Sequence, residues 1–230
     1  MLTKKIKGQM SESVFLGVLL AVVGGFLDAY TYLLRGHVFA NAQTGNIVLL
    51  GVNLADGALR EACYYLIPIA AFAAGVLAVE MVKRRFYQHP RIHWRQIVVA
   101  AECLALFILA FVPLGTGDIV VNPVISFLCA MQVQTFRKIK GDAFASTMCT
   151  GNLRSATELF YAYRRTGDRS YLRRSLRYYG VILFFIAGAV LGALLSHLMG
   201  AKALLICCFL LAVGFGVMFI KEDTEPAAGA

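Results

Sequence analysis

The amino-acid sequence predicts an all-α membrane protein with six transmembrane helices, arranged as two inverted three-helix repeats. Three observations lead to this prediction. The 230 residues are 59% hydrophobic and 15% charged, whereas a soluble globular domain carries about 25% charged residues. Six apolar stretches approach or reach the roughly 20 residues that a helix needs to cross a bilayer. A polar Thr-Gly-Asn motif also occurs twice, at residues 44–46 and 150–152.

The six predicted spans follow one another along the chain, and the third and sixth reach full length only with their flanking residues. They cover about Val14–Leu34, Tyr64–Val82, Ile97–Val112, Ile119–Phe136, Val181–Leu198 and Ala203–Ile220. The chain is interpreted as one membrane domain, 1–230, with tails at 1–13 and 221–230. Repeat 1 covers about 14–114 and repeat 2 about 119–220. The first span is too long for a signal-peptide core and is followed by no A-x-A-like cleavage site.

The distribution of basic residues predicts the orientation. If the N-terminus is cytoplasmic, 19 of the 22 Lys and Arg residues fall on the cytoplasmic side, and only Arg35, Arg60 and Lys202 fall outside. Such a bias is typical of the positive-inside rule, so both termini are expected in the cytoplasm. The same rule accounts for the net charge of +9. Nucleic acid is therefore not an expected partner, whereas the lipid bilayer is.

Each Thr-Gly-Asn motif is predicted to start a short helix. The first helix covers about Asn46–Ala55 and ends near Gly57, and the second covers about Asn152–Arg165 and ends near Gly167. Threonine is a good N-cap because its hydroxyl accepts a hydrogen bond from an early helical N–H, and glycine commonly follows the last turn. Both are interpreted as re-entrant or interfacial half-helices.

The repeat order predicts that the two halves have opposite orientations, because each half contains an odd number of spans. The first motif then lies toward the outside and the second toward the cytoplasm. A helix N-terminus inside a membrane presents unpaired N–H groups and a partial positive charge. Two such ends that face each other would suit a small anion or a zwitterion. In the competing interpretation, each motif only caps a broken helix and locks it to the neighbouring span.

Asp28 is the strongest single candidate for function, since a carboxylate within a span costs at least about 2.5–3.5 kcal/mol on insertion scales. It lies sixteen residues before Thr44, just as Gln134 lies sixteen residues before Thr150. Asp28 would serve a solute pathway or a proton; alternatively, it accepts hydrogen bonds from backbone N–H groups at a half-helix start.

The predicted solute- or ion-binding site combines these positions near the middle of the membrane. Its residues are Asp28, Thr44, Gly45, Asn46, Gln134, Thr150, Gly151, Asn152 and Arg154. Arg154 either faces Asp28 or an anionic solute, or extends to the cytoplasmic surface. Gln132, Glu80 and Glu102 are weaker candidates, and both glutamates are expected to pair with Lys83–Arg85 or Arg95.

Other function classes have no support in the sequence. It contains no G-x-S-x-G, H-E-x-x-H, P-loop or dinucleotide motif, so no enzymatic activity is expected. The six cysteines include no C-x-x-C pair, and neither a disulfide nor a metal site nor another cofactor is expected. Small residues at Gly24-Gly25, Ala71-x-x-x-Gly75 and Gly188-x-x-x-Gly192 favour close helix packing, within one chain or in a homodimer.

These motifs resemble the YoaK-like family of bacterial inner-membrane proteins, a domain of unknown function. The resemblance rests on Gly25-Phe26-Leu27-Asp28-Ala29, on Phe39 through Thr44-Gly45-Asn46 to Leu50-Gly51, and on Thr150-Gly151-Asn152. It covers about Val14 to Ile220, and departs from the family where Gln134-Thr135 replaces a frequent Gln-Asn pair. It implies a multi-pass protein of the bacterial inner (plasma) membrane and supplies no reaction.

Two functions remain open at this point. The leading hypothesis is a small-solute transporter or channel, which is proton-coupled if Asp28 takes up a proton. The alternative is a non-transporting membrane protein that binds a partner or anionic lipid through its basic cytoplasmic loop, 137–177.

Overall fold

The computed structural model describes residues 14–86, 94–139, 142–143 and 148–218. Eight α-helices lie in these ranges. They are α1 (Val14–Leu34), α2 (Gln43–Ala55), α3 (Leu59–Phe86), α4 (Trp94–Leu109), α5 (Asp118–Thr135), α6 (Cys149–Thr166), α7 (Arg169–Met199) and α8 (Leu204–Val217). A 3-10 turn, Gly200–Ala203, joins α7 to α8. The predicted tails, 1–13 and 221–230, and the last two residues of the sixth predicted span lie outside the described residues.

Among the described residues, three helical stretches are long and apolar enough to cross a membrane. They are α1, α3 and the continuous stretch Arg169–Val217, whose 49 residues contain both α7 and α8. The bounds of α1 match the first predicted span, whereas α3 extends beyond the second at both ends. The basic and aromatic segment Ser170–Tyr179 forms the first turns of α7 without a break. The chain is therefore a helical transmembrane protein.

Two short strands between α5 and α6 form a small hairpin. It pairs β1 (Lys138–Ile139) with β2 (Asp142–Ala143) in antiparallel register, with Lys138 opposite Ala143. The hairpin follows α5 and precedes α6 in chain order.

Helix α1 lies at the centre of the bundle. It packs against α7, α8 and α5, while α3 packs against α5, and α4 packs against α8. The two shorter helices lie at the side of longer ones, α2 on α3 and α6 on α7. Most of α1 is buried, whereas Leu77, Phe107, Leu183 and Phe209 expose half or more of their side chains. Apolar side chains that face outward are expected where lipid is the solvent.

Glycines form the closest contacts between the long helices. A Cβ atom on Gly188 would overlap the carbonyl oxygen of Val22, and one on Gly192 would lie 2.7 Å from that of Phe26. Gly25 of α1 faces the backbone of α7 in the same way, at Phe185. On α3, Gly75 faces the Phe127 carbonyl of α5. The predicted small-residue patterns thus bring helices together within one chain.

Helices α6 and α7 meet at a capped turn. Gly167 ends α6 in the left-handed conformation at φ 72°, as glycine at this position commonly does. The side chain of Asp168 then caps α7 by accepting hydrogen bonds from the amide and the hydroxyl of Ser170, at 2.8 and 2.7 Å. These bonds lower the pKa of Asp168, which lies outside the spans.

Candidate functional site

A cavity of about 490 Å³ lies where both Thr-Gly-Asn motifs approach α1. Its size is within the usual 300–1,000 Å³ of small-molecule sites. Helix α1, the segment that leads into α2, and the first turn of α6 supply most of the wall, and α3 and α7 complete it. Its lining includes the following residues: Asp28, Ala29, Tyr32, Phe39, Asn41, Thr44, Phe72, Met148, Cys149, Thr150, Gly151, Phe185 and Ala189.

Asp28 serves the fold and lines the cavity at once. It is 7% exposed, and one carboxylate oxygen accepts a hydrogen bond from the Asn41 backbone amide at 2.6 Å. The Asn41 side chain in turn donates to the Gly24 carbonyl at 3.2 Å. These two bonds fasten the segment before α2 to the side of α1. The two roles weighed for Asp28 from the sequence are therefore compatible in one geometry.

Asn46 acts as a local clamp. Its carboxamide oxygen accepts from the Phe39 amide at 3.0 Å, and its nitrogen donates to the Phe39 carbonyl at 2.7 Å and to Gln43 Oε1 at 2.9 Å. The neighbouring Gly45 lets the Phe39 ring pack closely, since a Cβ there would lie 2.8 Å from that ring. Asn46 is fully buried and is not part of the cavity wall. It shapes the wall by holding Phe39.

The predicted N-caps are wrong by two residues. Helix α2 begins at Gln43 after Ala42, and α6 begins at Cys149 after Met148, with no side-chain cap at either position. Thr44 and Thr150 therefore lie in the first helical turn and line the cavity. Neither hydroxyl makes a hydrogen bond to the described parts of the chain, so both are available to a ligand. Gly151 lies beside Thr150 and has open space at its Cβ position.

The other predicted site residues lie elsewhere. Gln134 is half-buried and donates a hydrogen bond to Glu80 of α3. Arg154 is exposed and pairs with Glu158 one turn later on α6, at 3.0 Å, rather than with Asp28. Asn152 is buried and is not part of the cavity wall. The structure thus groups Asp28 with both threonines and leaves these three residues outside.

The weaker glutamate candidates have different environments. Glu80 is exposed and lies 3.9 Å from Lys83, which agrees with the expected pairing. Glu102 was expected in a similar ion pair, and this expectation is wrong. Its side chain is fully buried and accepts a hydrogen bond from Gln132. The sequence does not distinguish the two, because each glutamate lies in an apolar run with basic residues nearby.

A buried ion pair that the sequence alone does not predict joins the end of α1 to the start of α5. Arg35 is fully buried, lies 2.9 Å from Asp118, and donates to the carbonyls of Pro113 and Val112 at 2.7 and 2.8 Å. Its own carbonyl accepts from Tyr64 at 3.0 Å and from Asn122 at 2.7 Å. One signal was present: Arg35 and Asp118 are opposite charges at predicted span ends on the same side of the membrane.

Comparison with known proteins identifies the family. A family model described as "Protein of unknown function (DUF1275)" matches residues 16–217. The chain belongs to this family. It is also 28% identical, over 191 residues, to the UPF0700 transmembrane protein YoaK of Bacillus subtilis (strain 168), and the match covers 76% of this chain and 80% of that relative. No solved structure matches. The resemblance to YoaK-like proteins is thus confirmed, and transmembrane character agrees with the apolar helices of this DUF1275 member.

Proposed function

We propose that the protein is a small-solute transporter or channel of the bacterial inner membrane, with both termini in the cytoplasm. The observation that carries the proposal is that Asp28, Thr44 and Thr150 all line one cavity. A buried carboxylate within a transmembrane helix is expensive to maintain unless it serves a pathway or a ligand. The proposal includes the binding of a small solute in this cavity and the coupling of its transport to a proton on Asp28.

The helix packing supports an inverted-repeat origin for this site. If each helix of α1–α4 is matched with the one four positions later, the α1–α7 contact corresponds to α5–α3. By the same rule, the contact of α2 with α3 corresponds to that of α6 with α7, and the contact between α4 and α8 corresponds to itself. A pseudo-two-fold axis would produce this pattern, and transporters with such repeats bind their solutes at the interface of the halves.

The lining narrows the class of solute. Aromatic rings from Tyr32, Phe39, Phe72 and Phe185 form much of the wall, and the polar groups are few. A site of this kind suits a small molecule with an apolar body and one hydrogen-bonding end. The threonine hydroxyls and the first-turn amides of α2 and α6 would hold the polar end. We therefore expect an amphipathic solute rather than a bare inorganic anion.

We expect a ligand screen to locate the site. The detergent-purified protein would be tested by thermal shift against inorganic anions, carboxylates, amino acids, nucleobases and metal cations. A solute at about 100 times its Kd stabilises by about 2.7 kcal/mol, which is readily detected. Thr150→Leu removes a hydroxyl and fills part of the cavity, so it should weaken binding by about tenfold or more, since 1.4 kcal/mol is tenfold.

Thr166→Leu is the matched control, because it makes the same change in the last turn of the same helix. Thr166 is exposed, its hydroxyl donates to the Ala162 carbonyl at 2.9 Å, and it does not line the cavity. Two cysteines give a second readout. A bound solute should slow the alkylation of Cys149, which lines the cavity, and should leave the alkylation rate of the exposed Cys63 unchanged. Equal stabilisation of wild type and Thr150→Leu, or no stabilising solute at all, would count against the proposal and favour the partner- or lipid-binding alternative.

A further inference from the structure

A second buried carboxyl lies outside the cavity, in the packed core shared by α4, α5 and α8. Glu102 of α4 and Gln132 of α5 are both 0% exposed. Gln132 Nε2 donates a hydrogen bond to Glu102 Oε1 at 3.2 Å. Neither residue belongs to the cavity wall, and nothing in the proposed solute site requires them.

An ionised carboxylate at this position would be severely unfavourable. A charge removed from water costs several kcal/mol unless a cation and further hydrogen bonds compensate it. Within the described parts of the chain, Glu102 has no ion-pair partner, and its second oxygen, Oε2, has no hydrogen-bond partner. The amide oxygen of Gln132, Oε1, also lacks a partner.

The two unsatisfied oxygens complement each other if one proton is added. A protonated carboxyl group carries an O–H donor, and an amide oxygen is a strong acceptor. A carboxylic acid and a carboxamide can form a ring of two hydrogen bonds, with the amide N–H donating to one acid oxygen and the acid O–H donating to the amide oxygen. The first of these bonds is present here. A proton on Glu102 Oε2 would supply the second and satisfy both orphan atoms at once.

We infer that Glu102 is a proton-binding site inside the membrane domain, held neutral as an acid–amide pair with Gln132. The bonding is specific, because the planar carboxyl and the planar carboxamide already share one hydrogen bond. The proton is the ligand, and Glu102 Oε2 is the atom that holds it. The inference is independent of whether the cavity transports a solute.

The groups around Glu102 are consistent with a neutral carboxyl. Thiols lie near Glu102, namely Cys103 on its own helix, Cys129 on α5, and Cys207 and Cys208 on α8. On α3, the cations Lys83, Arg84 and Arg85 lie in the last turn, and Lys83 lies beside Glu80. Arg95 lies two turns before Glu102 on α4, with its guanidinium 5.4 Å from the centre of the Trp94 ring.

Infrared spectroscopy of the purified full-length protein at neutral pH tests the inference. A protonated carboxyl gives a C=O stretching band distinct from that of a carboxylate, and the band shifts in D₂O. We expect wild type to show such a band and Glu102→Gln to lose it. Glutamine preserves the shape and can form an amide–amide ring with Gln132, so the variant should fold. Glu80→Gln is the matched control, since Glu80 also accepts from a glutamine of α5, Gln134, but is exposed.

A second variant keeps the test decisive if Glu102→Gln folds poorly. Gln132→Met leaves the acid in place and removes its partner, so the band should persist and move to higher frequency as its carbonyl loses a hydrogen bond. Loss of the band in Glu80→Gln, or an unchanged band in both Glu102→Gln and Gln132→Met, would assign the proton to another carboxyl and overturn the inference. Absence of the band from wild type would overturn it as well.

Discussion

Replacing Gly188 with alanine should destabilise the protein by about 1–3 kcal/mol or more, the usual range for overpacking a well-packed core. The added Cβ would overlap the Val22 carbonyl oxygen and lie 2.7 Å from the Val22 Cα atom. Both are backbone atoms of α1, so no side-chain rotation can relieve the clash. The central helix pair would have to separate, which the thermal unfolding of the detergent-purified variant would report.

Gly180→Ala provides a control in the same helix. A Cβ at Gly180 has no neighbouring atom within 4 Å, and alanine is favoured over glycine in a helix by about 0.8–1.0 kcal/mol. This variant should therefore be as stable as wild type or slightly more stable. If Gly188→Ala unfolded at the same temperature as Gly180→Ala, the close contact of α1 with α7 would be contradicted.

Removing the carboxylate of Asp118 should have a comparable or larger effect. Asp118→Ala leaves the guanidinium of Arg35 fully buried without its counter-ion. Breaking a buried pair in this way costs about 3–5 kcal/mol, because the remaining charge stays in a poorly solvated environment. The carbonyl contacts from Pro113 and Val112 remain and would reduce the loss only in part. Thermal or denaturant unfolding would measure the change.

The ion pair between Arg154 and Glu158 serves as its control. It has a similar separation, 3.0 Å, but its side chains are 79% and 62% exposed. Exposed pairs of this kind contribute about 0–1 kcal/mol, so Glu158→Ala should leave the stability nearly unchanged. Equal effects of Asp118→Ala and Glu158→Ala would contradict the structural role assigned to Arg35.

Local sequence patterns were sufficient to predict much of the fold. The apolar run of α1 defines its two ends, because polar or charged residues flank it on both sides. Gly167 predicts the end of α6, since few other residues adopt its left-handed conformation without strain. The Gly188-x-x-x-Gly192 pattern predicts a close helix contact. It did not reveal that the partner is α1, because periodicity describes one helix at a time.

The site was harder to predict, for physical reasons visible at particular residues. Thr44 was expected to cap α2, but the Asp28 carboxylate fastens the preceding backbone at Asn41, and the helix starts one residue before the motif. The sequence predicts Asn46 as a solute ligand, yet its carboxamide bonds to Phe39 and Gln43. Such bonds depend on how α1 and the following segment meet. Composition and residue spacing do not show how α1 packs against that segment.

Polar pairs between residues far apart in the chain could not be predicted from the sequence for the same reason. Arg35 and Asp118 are separated by 83 positions, and Glu102 and Gln132 by 30. Each pair forms because helix packing brings two polar side chains to one buried point. A single sequence shows the charges but not their partners. This explains why Glu102 was placed with surface arginines.

Uptake of the screened solute by proteoliposomes tests the central claim most directly. Purified wild-type protein and Thr166→Leu should both accelerate entry of the solute over protein-free liposomes. At a solute concentration below the Kd, Thr150→Leu should be slower than both by about tenfold or more. If Asp28 carries the coupling proton, a pH gradient should drive wild-type uptake and have no effect on Asp28→Asn. A protein that binds the solute at the cavity, yet moves it no faster than empty liposomes do, would contradict the transporter and channel reading.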